Sequence, residues 1–308
     1  MSDRLPSPKG VALAVTELCR REDVSLSAVV DVLKTDPALT GRLIKLANAV
    51  SHGLRPAASL QEAVTRLGLA TVKQVSLGFS LMDQHRRGSC PGFDYQEFWS
   101  HSLLTAIVMK DCGGHIRLGA PDELFALGLL AQVGQLALAS VLPEEYGQVL
   151  AAHRADPGRP LTELEEAQLD VDHVLVTGAL LEDWGLPAAL IAPVLDHEHP
   201  ECSQLNPDSR AGQLLHLLNL AAHLADLGRA PEEERHRYVP EILLEGGKIG
   251  LGAEAMAGIV DKAFREWRDW SSLLRVPASV LPPFDVLTQA VTPREDAKGK
   301  SRVLRILL

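Results

Sequence analysis

Gly128-Leu129-Leu130-Ala131-Gln132-Val133-Gly134-Gln135-Leu136 lies in the middle of an apolar-periodic stretch over 121–140. Similar stretches surround it, at 96–113, 143–154, 161–183 and 187–196, punctuated by Gly113–Gly114 and Pro157–Gly158. Apolar residues recurring at helical spacing, without strand-like alternation, predict helices throughout this region. Upstream, Asp36 and Pro37 form an N-cap with proline in the first turn, followed by Leu39, Leu43, Leu46 and Ala47 at helical spacing. Ser59 and Glu62 match the S-x-x-E capping box. Val64 and Leu67 continue that stripe and Gly68 offers a stop; Thr71 is a candidate cap for a segment placing Val72, Val75 and Phe79 on one face. The first ~85 residues therefore read as about five short helices joined by tight turns. Beyond Pro200 the pattern loosens, with helices expected at about 209–228 and 252–275. The predicted fold class is all-α.

Composition narrows the function. The 308 residues carry a net charge of −10 and a pI near 5.6, which argues against a nucleic-acid or anionic-membrane partner, because phosphate binding needs clustered Lys and Arg. The local pair Arg86–Arg87 is too short to reverse that balance. With aromatics at only 4%, Leu, Val and Ala must do most of the packing, which suits close helix–helix contact. Cys19, Cys90, Cys112 and Cys202 are far apart and form no CxxC pair, so neither a metal knuckle nor a disulfide framework is expected. The opening MSDRLPSPKG has no apolar signal core, and no run is read as reaching the ~18 apolar residues of a spanning helix. The expectation is a reduced cytoplasmic protein.

Four landmarks follow one another in the second half: Phe98-Trp99-Ser100-His101-Ser102; the 128–136 stretch; His173 with Gly178-Ala179-Leu180-Leu181 and Trp184-Gly185-Leu186-Pro187; and His197-Glu198-His199-Pro200. Their order resembles the HD superfamily of metal-dependent phosphohydrolases, and within it the HDOD (HD-related output domain) branch. Leu5-Pro6-Ser7-Pro8, Asp36-Pro37-Ala38-Leu39, Leu46-Ala47-Asn48, Ala63 and Leu67-Gly68 resemble the N-terminal part of HDOD proteins. The resemblance spans roughly residues 5–230. It implies an N-terminal helical bundle over 5–85 packed on a degenerate HD-like helical domain over 93–290, joined by the Arg86–Gly92 break. Trp99 and Trp184 are expected as core anchors between the layers. The charged stretch 293–302 is expected to be a solvated linker; the apolar Val303-Leu304-Arg305-Ile306-Leu307-Leu308 reads as the first strand of a following domain, such as a receiver, with a native tail docked onto the helical body as the alternative.

The departures from the HD pattern matter most. Catalytic HD enzymes place a His and an adjacent Asp where this chain has Ala131 and Gln132. Alanine has no donor atom, and a neutral amide poorly replaces a carboxylate that would offset metal charge. His101, His173 and His197 remain at positions resembling superfamily histidines, and Glu198 and His199 stand where a His-His pair is common. Two readings follow: a residual mononuclear site of three imidazoles with Glu198, or buried histidines hydrogen-bonded within a helical core. The second is expected, with no catalytic residue, metal or cofactor. The resemblance then implies a non-catalytic output or adaptor role in bacterial signalling, through contacts with receiver, diguanylate cyclase or phosphodiesterase domains. A residual metal-dependent phosphohydrolase and a cyclic-dinucleotide sensor that binds without hydrolysis are the rivals. Elsewhere, Gly246-Gly247-Lys248-Ile249-Gly250 lacks phosphate-loop spacing and reads as a turn, and Trp267 and Trp270 read as a core-packing helix face.

Overall fold

A computed structural model describes residues 5–289, apart from 8, 20, 22, 23 and 51–54. The expected linker 293–302 and strand 303–308 lie outside the described residues. Fifteen α-helices and no strands are present among the described residues, which is the all-α class read from the sequence. In order they are α1 Gly10–Leu18, α2 Leu26–Leu33, α3 Pro37–Val50, α4 Leu60–Gln84, α5 Tyr95–His115, α6 Pro121–Leu130, α7 Val133–Val141, α8 Pro143–Ala155, α9 Leu161–Leu169, α10 His173–Asp183, α11 Ala188–Asp196, α12 Arg210–Arg229, α13 Val239–Lys248, α14 Ala253–Leu274 and α15 Phe284–Gln289.

The N-terminal helices begin much as their capping residues dictate. Asp36 Oδ1 accepts from the Leu39 amide at 2.9 Å, and Ser59 Oγ from the Glu62 amide at 3.2 Å. Glu62 reaches past Ser59 to accept from the Ala58 amide at 3.0 Å, so the box closes one residue early. Gly68 interrupts α4 where the sequence offered a stop: it is non-helical, at φ 75° and ψ 157°, and two helical segments meet there across a kink. Thr71 is no cap: its hydroxyl donates to Asp122 Oδ2 at 2.6 Å, tying α4 to the first turn of α6. Asn48 holds the α3–α4 connection, with Oδ1 accepting from the Ala57 amide at 2.6 Å.

α5 is the axis of the fold. Its residues from Phe98 to Gly113 are all buried, and it packs against α6, α12 and α14. A helix enclosed on every face needs small or apolar residues all round, and Ser100, Ser102, Thr105, Ala106 and Gly113 supply the close approaches. Its one lysine in this stretch, Lys110, is buried and paired with Glu266 of α14. Trp99 and Trp184 are both buried, and the Trp99 indole donates to the His85 carbonyl at the end of α4, joining the first four helices to the rest.

Two runs read as single helical stretches are each split in two. The 161–183 run breaks where Asp170 adopts the left-handed conformation (φ 59°) and Asp172 N-caps α10, accepting from the Leu175 amide at 2.7 Å. The 121–140 run breaks at Ala131–Gln132. Gln132 leaves helical geometry (φ −117°, ψ 19°), and the Gly134 amide donates to Thr177 Oγ1 at 2.9 Å instead of continuing the helix. Against the sequence expectation, Pro121–Val141 has the length and mean hydropathy (1.8) of a membrane span; its most apolar window is 78% buried inside the protein, and the break halves it.

Both glycines of the 128–136 stretch sit at backbone contacts. A Cβ on Gly128 would lie 2.8 Å from Ala106 Cα on α5, and one on Gly134 would lie 1.9 Å from the His173 carbonyl oxygen on α10. Neither neighbour is a flexible side chain that could yield. Gly134→Ala must therefore separate α7 from α10, and we expect a loss of roughly 1–3 kcal/mol or more, typical of overpacking against rigid structure. Urea unfolding of the variant checks this; an unchanged midpoint would contradict the close contact.

Candidate functional site

The histidines of the landmarks lie where α5, α7, α9, α10, α11 and α12 come together. His173 opens α10 and is 1% exposed. Glu165, fully buried on α9, engages it twice: one oxygen accepts from the His173 amide at 2.8 Å and from Nδ1 at 2.6 Å. The other Glu165 oxygen accepts from the Tyr146 hydroxyl at 2.9 Å. On the far side of the ring, Nε2 donates to Glu198 at 2.8 Å, with the Gln135 amide nitrogen 3.4 Å away.

This clamp sets the protonation states. Burial by itself would drive the His173 pKa down, but Glu198 and Glu165 outweigh it and raise the value to about 10. Burial would likewise raise Glu198, yet the His173 charge and hydrogen bond bring it to about 2. The ring is an imidazolium, donating from both nitrogens. Tyr146 is held neutral by burial and by the neighbouring Glu165 carboxylate, both of which raise its pKa.

The other histidines have different fates. His197, 2% exposed at the end of α11, donates from Nδ1 to the Val194 carbonyl at 2.7 Å, while its own carbonyl accepts from Asn219 of α12 at 2.7 Å. Burial depresses its pKa, so its ring is neutral. His101 of α5 faces Asp226 of α12, with Nε2 to Oδ1 at 3.2 Å. Its Nδ1 is buried without a partner, as are Thr105 Oγ1 and Asn219 Oδ1. His173 and His101 both lie close enough to His197 to add to the depression of its pKa. His199 stands apart: it is about half exposed and pairs loosely with Glu201 at 3.4 Å.

The residues present do not fit the metal that the HD superfamily uses. A donating imidazolium has no lone pair to give, so His173 is unavailable while its two carboxylates hold it. Ala131 is buried at the α6–α7 break and offers no donor atom. Among the described residues, no group of three or more His, Cys, Asp or Glu side chains is arranged to hold a metal ion. Gln135 belonged to a quoted landmark, but Glu165, Tyr146, Asn219 and Asp226 were not singled out in the sequence. Asn219 and Asp226 could have been: with His216 and His223 they recur at helical spacing down one face of α12, between runs of Leu and Ala. Glu165 could not, since it is one of three glutamates in Glu163-Leu164-Glu165-Glu166 with nothing to mark the buried one.

The helical arrangement is an HD-type fold. It is shared with a putative phosphohydrolase from Shewanella amazonensis (TM-score 0.64, 22% identity, covering 88% of this chain and 96% of that one) and with an HDOD domain protein from Geobacter sulfurreducens (TM-score 0.62, 22% identity, 87% and 93%). The HDOD domain profile matches residues 5–200, and the chain belongs to the HDOD domain family. The MmoQ response regulator from Methylococcus capsulatus is 36% identical, with a TM-score of 0.53, covering 84% of this chain and 99% of that one. An uncharacterised protein of Treponema pallidum is 26% identical over 203 residues; the match spans 64% of this chain and 38% of that longer protein.

Proposed function

We propose that this chain is a non-catalytic signal-transduction module that works through protein contacts, with receiver, diguanylate cyclase or phosphodiesterase domains as its class of partner. The observation that carries this reading is the electronic state of the buried histidine cluster. The metal-binding pair of the superfamily is replaced by Ala131 and Gln132, and the best remaining imidazole, His173, is consumed as a cation between Glu165 and Glu198. A hydrolytic HD centre needs the opposite arrangement, with neutral imidazoles and a carboxylate converging on a cation that activates water. Similarity to the MmoQ response regulator supports a regulatory role.

The purified chain is expected to hydrolyse neither cyclic dinucleotides nor model phosphodiesters in the presence of Mn²⁺, Mg²⁺ or Zn²⁺. A metal-dependent rate that disappears in His101→Ala or His173→Ala would overturn the reading. The double substitution Ala131→His with Gln132→Asp is expected to leave metal binding absent, because the Glu165 and Glu198 bonds to His173 persist and the supporting groups of a metal site are missing.

A further inference from the structure

A cavity lies where the ends of α4 and α14 meet the start of α5. It has a volume of about 260 Å³ and is lined by Arg86, Arg87, Gln96, Trp99, Arg275 and Val276. Three of its six lining residues are arginines and none is acidic, in a chain whose net charge is −10. From this we propose that the cavity binds a phosphate dianion, either free or as a small phosphomonoester.

The three guanidiniums are held differently. Arg86 is fixed: one nitrogen donates to the Leu274 carbonyl at 2.7 Å, closing the end of α14, and another to Asp83 at 2.7 Å. Asp83 does not neutralise the cavity, because Arg42 also binds it in a two-pronged contact at 2.6 and 3.1 Å. Arg87 and Arg275 are exposed, and neither has a carboxylate partner among the described residues. Capping of helix ends accounts for Arg86 alone.

Arg275 is the more telling of the two. It sits at φ 57° and ψ 46°, the left-handed conformation that closes α14. Glycine normally takes such a position, and a residue with a Cβ is strained there. The strain brings an arginine to the rim of a cavity that already holds two others. Asp83 is shared between Arg42 and Arg86, so Arg87 and Arg275 bring positive charge to the cavity that no carboxylate among the described residues offsets, which suits an oxyanion. Planar guanidinium forks suit tetrahedral oxyanions. Trp99 and Val276 give the cavity an apolar wall against which the carrier of an ester could rest.

The test is calorimetric titration of the full chain with inorganic phosphate and with phenyl phosphate, at constant ionic strength set by KCl. Saturable binding is expected, weakened about tenfold or more in Arg87→Ala and in Arg275→Gly, as fits loss of one charge-assisted contact. Arg275→Gly also relieves the strained backbone, so its melting temperature should hold or rise while binding falls, which separates loss of the site from loss of the fold. Arg237→Ala, an exposed arginine elsewhere, should bind as the parent does. Tighter binding of phenyl phosphate assigns the site to an ester, and equal affinity assigns it to free phosphate. No saturable binding, binding unaffected by either cavity substitution, or equal weakening in Arg237→Ala would overturn the proposal.

Discussion

Replacing Glu165 with alanine is expected to remove about 3–5 kcal/mol of folding stability, the range for breaking a buried ion pair from one side. The residue is fully buried and serves three donors: the Tyr146 hydroxyl, the His173 amide and His173 Nδ1. Alanine would leave all three without a partner in a space closed to solvent. It would also leave the imidazolium with Glu198 alone, so its pKa should fall. The same cluster predicts the pH profile of the parent protein. His173 titrates near 10 folded and near 6.5 unfolded, so the folded state holds the extra proton between those values. Its contribution is complete below pH 6.5 and is lost as pH rises toward 10, with a limiting slope of about 1.4 kcal/mol per pH unit. His197 acts oppositely. Its folded pKa is depressed, so its contribution is present above pH 6.5 and is lost as pH falls below it. Stability should therefore peak near pH 6.5. His173→Gln should flatten the alkaline limb, and denaturant midpoints from pH 5 to 10 measure both effects. A parent protein whose stability rises from pH 7 to 9 would refute the clamped-cation assignment.

Trp270→Ala is expected to cost a comparable 3–5 kcal/mol. The indole is fully buried, lies 5.9 Å from the Phe79 ring of α4 and 6.1 Å from the Phe125 ring of α6, and supports Lys45 Nζ of α3 at 4.4 Å above its face. Its nitrogen donates to Glu266, which also receives the buried Lys110 ammonium. One side chain thus links α3, α4, α6 and α14, and its removal opens a void that four helices would have to close together. Trp270→Phe keeps the ring contacts but strands the Glu266 bond, and should cost less. Urea unfolding distinguishes them; a loss below about 1 kcal/mol for alanine would show that the helices can collapse into the space.

Much of this architecture was legible in the sequence because helices are written locally. Asp36 and Ser59 mark helix starts by side chains that reach amides three residues on, and the apolar period does the rest. The breaks were harder. Nothing within 121–140 announces that the Gly134 amide will leave its own helix for Thr177, since the partner is 43 residues away. Thr71 fails as a cap for the same kind of reason, its hydroxyl being taken by Asp122. The site was half legible. Landmark order pointed to His101, His173 and His197, and these do lie near one another. Whether a histidine is a neutral ligand or a clamped cation depends on the carboxylates the fold brings to it. Glu165 is placed by the left-handed turn at Asp170 that folds α9 back on α10, and no local pattern encodes which of its neighbours that turn will bury.

The enclosure of α5 has a consequence for how the molecule breathes. Amide protons along its buried stretch are shielded by α6, α12 and α14 and are already committed to the helix. Peripheral helices can fray singly, but no local opening uncovers the middle of α5. Deuterium should enter there only when the whole chain opens, so its slowest amides report the global unfolding free energy under native conditions, without denaturant.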